Sequence, residues 1–112
     1  MKQFELQPLR LSSGWTVKYN DVSEYDFQED GHEHLYELKE DLLQLENHNL
    51  IIDLGWYPSM DITGRYILYL IDKNSDRPFD DPIDVFESRS KQDIISKLEY
   101  WTNYGFYQKY IR

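Results

Sequence analysis

The chain has 112 residues, the length of one domain, so residues 1–112 are expected to form a single compact unit. It carries 21 acids against 12 bases, a net charge of −9, and no cysteine. That balance excludes a bare binder of nucleic acid or anionic membrane, because phosphate contacts need Lys and Arg. Lack of cysteine excludes disulfides, zinc thiolates and Cys nucleophiles.

No run of about 18 apolar residues is present to span a bilayer. The opening MKQFELQPLR lacks the apolar stretch of a signal peptide, so a cytoplasmic location is expected. Aromatic residues make up 16% of the chain, and their large rings supply core area that the modest aliphatic content does not.

The first segment, Phe4 to Leu11, alternates imperfectly, and Ser12-Ser13-Gly14 punctuates it. Trp15 to Tyr19 then alternates apolar with polar, so the two read as a hairpin, with Pro8 placing the first strand at an edge. Residues 20–32 read as a polar loop ending at Gly31. From Glu33 to Glu46, Leu35, Leu38, Leu42 and Leu45 recur at helical spacing, which predicts a helix stopped by Asn47-His48-Asn49.

Leu50 to Tyr57 predicts a strand with Leu50, Ile52, Leu54 and Trp56 on one face. Tyr66 to Ile71 is almost wholly apolar and predicts a strand covered on both faces. These two form the expected central antiparallel pair. A long loop over 72–82 and a short strand at Ile83 to Glu87 follow. Ser90-Lys91-Gln92-Asp93 approximates a capping box, opening a helix whose apolar stripe is Ile94, Ile95, Leu98 and Trp101, with Gly105 as its stop. Phe106 to Ile111 reads as a last strand or a docked extension. The expected class is α+β: a mainly antiparallel β-sheet with about two helices packed on one face.

The net charge is segregated. Residues 21–46 hold ten acids and one base, Lys39, and so carry −9; the other 86 residues hold 11 acids and 11 bases and are neutral. On the predicted helix, Glu33–Glu37 and Glu37–Asp41 are like-charge pairs four apart, each destabilising by about 0.2–0.5 kcal/mol. A solvated face explains such a run, and so does a docking surface for a basic partner, since clustered charge steers encounter.

Other constellations are weaker. His32-Glu33-His34 with Glu29 and Asp30 has no partner motif that would complete a metal site. Asp72-Lys73-Asn74-Ser75-Asp76 copies the start of a calcium loop, but Arg77 stands where Gly is needed and Ile83 where a bidentate Glu is needed. No nucleophile elbow or phosphate loop occurs, and no cofactor or metal is expected. Asp53 lies inside an apolar strand and needs water or a partner; Arg65 across the hairpin is the candidate. The C-terminal Tyr100, Trp101, Tyr104, Phe106, Tyr107 and Tyr110 with Lys97, Lys109 and Arg112 combine rings and bases as single-strand binders do. The acidic balance opposes nucleic acid and favours core packing plus self-association there, through a homodimer.

At Asp21–Glu46, Gly55-Trp56-Tyr57-Pro58 and the capped helix Ser90–Tyr104, the chain resembles the small immunity proteins of bacterial polymorphic-toxin systems. The resemblance is one of overall style across most of the chain, and no residue role is carried over from it. It implies a cytoplasmic α+β domain that binds and blocks a toxin, frequently a basic nuclease. Three readings therefore stand. The first is an acidic binding module presenting Glu33, Glu37, Glu40 and Asp41 with Tyr36 as anchor. The second is a small-ligand protein or enzyme with a pocket at Asp53, Trp56 and Tyr69. The third is a homo-oligomeric module joined through the aromatic C-terminus.

Overall fold

In a computed structural model that describes residues 4–112, five strands form one antiparallel sheet. They are β1 (Thr16–Asn20), β2 (Leu43–Asn47), β3 (Leu50–Tyr57), β4 (Arg65–Asp72) and β5 (Asp84–Ser88), and their order in space is their order in sequence. Residues 1–3 of the expected domain lie outside the described residues. The helices are α1 (Phe27–Asp30), α2 (Lys91–Trp101) and α3 (Tyr104–Tyr107). The expected α+β class is the one observed, with α2 packed on β4 and β5.

The central pair forms as the alternation predicts. Leu50, Ile52, Leu54 and Trp56 of β3 are fully buried on one face. Tyr66, Leu68 and Leu70 of β4 join them, and the register sets Ile52 opposite Leu70 and Leu54 opposite Leu68. Ile94, Leu98 and Trp101 of α2 close this core. On its other face β4 is less covered than expected: Ile71 is buried, but Ile67 and Tyr69 are half-exposed. Ser90 caps α2 by accepting from the Asp93 amide at 3.2 Å, as the capping box predicts.

The helix expected over Glu33 to Glu46 does not form. Its leucines turn inward, Leu35 half-buried and Leu38, Leu42 and Leu45 buried, but in three different backbones: a 3-10 turn at Leu35–Glu37, an extended stretch, and β2. Pairing with β3 outcompetes the helix, because Leu43 sits opposite Leu54 and the Leu42 amide donates to the Leu54 carbonyl at 3.0 Å. The like-charge pairs at helical spacing push the same way. The overlooked signal is Leu43-Gln44-Leu45-Glu46, a period-two alternation leading into the tight turn at His48-Asn49.

The N-terminal hairpin is also corrected. Phe4–Leu11 makes only an isolated bridge, Leu6 to Ser23, and β1 pairs with β2 instead. The segment runs as a strap, with the Gln7 amide donating to Val22 O at 2.8 Å and the Arg10 amide to Glu99 Oε2 at 2.7 Å. Pro8 has no amide hydrogen to give a ladder, so it suits a strap better than a strand. The loop expected over 20–32 contains α1, capped by Asp26.

Gly105 does not stop the long helix, which ends at Trp101 with Thr102 as its C-cap; Gly105 lies inside α3. The tail is a docked extension and not a strand. Asn49 holds it from both sides, donating to Tyr110 O at 3.2 Å and accepting from the Arg112 amide at 2.9 Å. Arg112 also pairs with Asp72. Asp72 accepts from the Asn74 amide at 3.0 Å, so the calcium-like residues are a turn.

Candidate functional site

The acidic connection between β1 and β2 is where the predicted partner residues gather. Val22, Tyr25, Phe27 and Leu38 anchor it in the core. Glu33, Tyr36, Glu40 and Asp41 are exposed and Glu37 is half-exposed. The structure does not place all five on one face. Tyr36, Glu40 and Asp41 line one groove of about 370 Å³ together with Asp21, Lys39 and Met60. Glu33 and Glu37 are not among its lining residues.

Two apolar side chains stand out in this acidic setting: Tyr36 is 48% exposed and Met60 is 58% exposed. Tyr36 is steadied by His34, whose Nδ1 lies 3.2 Å from the phenol oxygen. His34 in turn meets Phe4 and Tyr25 edge-on, so it belongs to an aromatic cluster. Among the described residues no group of three or more His, Asp or Glu side chains is arranged to hold a metal ion. Met60 has φ +59°, a left-handed conformation that is uncommon outside glycine, and its amide donates to Leu38 O at 2.7 Å. That bond sets the loop after β3 beside the acidic connection. Nothing in the sequence around Pro58-Ser59-Met60 marks Met60 for this position.

Lys39, the one base of the segment, reaches Asp21 at 3.1 Å. Both groups are largely exposed, so the pair contributes about 0–1 kcal/mol. Among the described residues no base pairs with Glu40 or Asp41 at the groove.

The second predicted site divides between the two faces of the sheet. Trp56 faces the core, where its indole N–H donates to Asp61 O at 2.8 Å. Asp53 and Tyr69 face the opposite side and sit directly across from each other. The register runs on sideways, Tyr19 to Gln44 to Asp53 to Tyr69, one row across four strands. Tyr19 joins this row because the β1–β2 register shifts between Val17 and Tyr19. A bulge there turns onto the outer face a side chain that plain alternation would send to the core.

Asp53 is 4% exposed, and Arg65 is not its partner. Arg65 stands opposite Tyr57 and reaches Glu87 at 3.7 Å. The Asp53 carboxylate accepts from Gln44 Nε2 at 3.0 Å and faces the Tyr19 hydroxyl. Burial pushes its carboxyl above the ordinary Asp range and Asp41 adds to this, while the Gln44 and Tyr19 contacts pull back. Burial, with Asp53 beside them, lifts the Tyr19 and Tyr57 phenols to about 12, so both stay protonated at neutral pH.

A raised carboxyl means that the folded state holds its proton more tightly than the unfolded state. The ionised group then costs stability as pH rises through its folded range, and the cost vanishes once both states are protonated. Asp53→Asn is therefore expected to raise Tm at pH 7, with the gain shrinking towards the acid end of the carboxylate range. Thermal melts of both proteins across pH check this; a variant less stable at pH 7 than at low pH, relative to wild type, would contradict it.

A further cleft of about 300 Å³ is lined by Glu24, Asp26, Glu29 and Lys91. The buried Lys91 ammonium donates to the Ser23 and Tyr25 carbonyls, tying α2 to the acidic connection. Burial lowers its pKa, and Asp26, Asp30, Glu24 and Glu37 oppose that shift.

Of the C-terminal rings, Trp101 and Tyr107 are buried, and Phe106 and Tyr110 pack against the core. Only Tyr100 and Tyr104 project as exposed rings. Among the described residues no helix is long and apolar enough to cross a membrane.

No family model, curated protein or solved structure matches the chain.

Proposed function

We propose that the chain is an acidic protein-binding module that takes a basic protein partner in the cytoplasm, in the manner of an immunity-type inhibitor. The observation that carries this reading is the groove that sets exposed Tyr36 and Met60 beside Glu40 and Asp41. Exposed apolar anchors rimmed by like charge suit a partner of opposite sign: the rings and thioether supply contact area, and the acids supply steering. Methionine also adapts its shape to a partner. A toxin nuclease is the class of partner that the resemblance to immunity proteins brings forward.

The test compares immobilised wild-type protein with two double variants, Tyr36→Ala/Met60→Ala and Glu40→Gln/Asp41→Asn. Wild type should retain a basic protein at low salt and release it at high salt. The apolar variant should weaken that binding by about tenfold or more. The charge variant should flatten the salt dependence. Retention that both variants leave untouched would overturn the groove, and absence of any retained basic protein would overturn the module.

A further inference from the structure

Asp53 is a charge-bearing group that has no counter-ion among the described residues. Its partners are a neutral amide and a neutral phenol. Among the described residues the nearby bases are engaged elsewhere: Arg65 with Glu87, Lys18 and Lys73 with Glu46, Lys39 with Asp21. Burying a carboxylate without a cation is costly, and a cation delivered by a binding partner recovers that cost.

The surroundings fit one kind of cation. Half-buried Tyr19 and Tyr69 lie in the Asp53 row, at opposite ends of it. Tyr57 lies two residues along β3 on the same face, its ring against the backbone of Gly55. A guanidinium is flat, weakly hydrated and forked, so it stacks on phenol rings and pairs with a carboxylate at once. An ammonium is a strongly hydrated point charge and gains less from flat rings. The place adjoins the groove: the backbone carbonyl of Glu40, a groove residue, lies over Gly55, against which the Tyr57 ring also rests.

We propose that the outer face of the sheet receives an arginine side chain of the basic partner, its guanidinium against Asp53 and its flat sides against Tyr19, Tyr57 and Tyr69. This rests on the reading of the chain as a binder of basic proteins. It adds a second contact, on the sheet itself, that selects arginine.

The experiment titrates the isotopically labelled full chain with the peptide acetyl-Gly-Arg-Gly-amide, followed by NMR. Parallel titrations replace Arg by Lys and by citrulline, the neutral analogue. The arginine peptide should shift the Gln44 side-chain amide and the rings of Tyr19, Tyr57 and Tyr69 saturably. The lysine peptide should bind more weakly and the citrulline peptide not measurably. Asp53→Asn should weaken the arginine peptide by about tenfold or more, while its amide spectrum stays that of a folded protein. Equal binding of citrulline, equal binding of lysine, shifts confined to the groove, or an affinity that Asp53→Asn leaves unchanged would each overturn the proposal. The groove variant Tyr36→Ala/Met60→Ala separates the two claims, because it should weaken partner retention and leave the arginine titration intact.

Discussion

Trp56→Ala is expected to lower the unfolding free energy by about 3–5 kcal/mol, measured by urea denaturation. The indole is fully buried. Phe27 and Tyr66 meet it edge-on at 5.1 and 4.8 Å between ring centroids. Truncation therefore opens a cavity bounded by rigid rings, which collapse poorly into the space. It also removes the indole hydrogen bond to the Asp61 carbonyl, which keeps only the Gly64 amide as a donor. Because Phe27 belongs to α1 and Trp56 to β3, the loss should loosen the acidic connection as well as the core. A change below about 1 kcal/mol would mean that the site collapses or that the ring is not a keystone.

Gly55→Ala is expected to cost about 1–3 kcal/mol or more, and to impair partner binding even where the fold survives. A β-carbon at this position would run into the Glu40 carbonyl oxygen and would lie 2.8 Å from the Tyr57 ring. The obstacle is backbone, so it cannot rotate away. Relief requires the stretch that carries Glu40 and Asp41 to lift off β3, where the Trp56 amide now donates to Lys39 O at 2.7 Å. Gly105→Ala is the matched control: nothing lies within 4 Å of its β-carbon, and it sits in α3. There the substitution should be neutral or stabilise by about 0.4–1 kcal/mol, through the unfolded chain. Parallel urea melts and partner-binding assays distinguish the pair; equal effects of the two substitutions would remove the argument for close approach at Gly55.

The parts of the fold that sequence reasoning reached share a property. β3 and α2 each have one periodicity that a single face satisfies, β4 is a short and almost wholly apolar run, and Ser90 supplies a local start signal for α2. The part it missed, Glu33–Glu46, carries two periodicities at once. Leucines at 35, 38, 42 and 45 fit a helix, while Leu43 and Leu45 fit a strand, and only the neighbour β3 decides between them. The acidic surface was legible because charge is a property of residues and not of their arrangement. Its geometry was not: Met60 reaches the groove through one backbone bond to Leu38, and Tyr19 reaches Asp53 through a register shift. The cross-strand neighbour of Asp53 follows from the strand ends. With β3 ending at Tyr57 and β4 starting at Arg65, those two residues pair, and counting back puts Tyr69 opposite Asp53.

The meander has a consequence for how such a protein diversifies. Each strand is hydrogen-bonded to its neighbour in sequence, so the ladder from β2 to β5 does not run through the residues between β1 and β2. Those residues are pinned at Val22, Tyr25, Phe27 and Leu38 and present Glu33, Tyr36, Glu40 and Asp41 between or beside the pins. Loop closure tolerates exchange of such exposed positions at little free-energy cost. The chain thus has a frame with a replaceable faceplate: substitution among the exposed acids would change the surface offered to the proposed partner, while the register that aligns Tyr19, Gln44, Asp53 and Tyr69 stays the same.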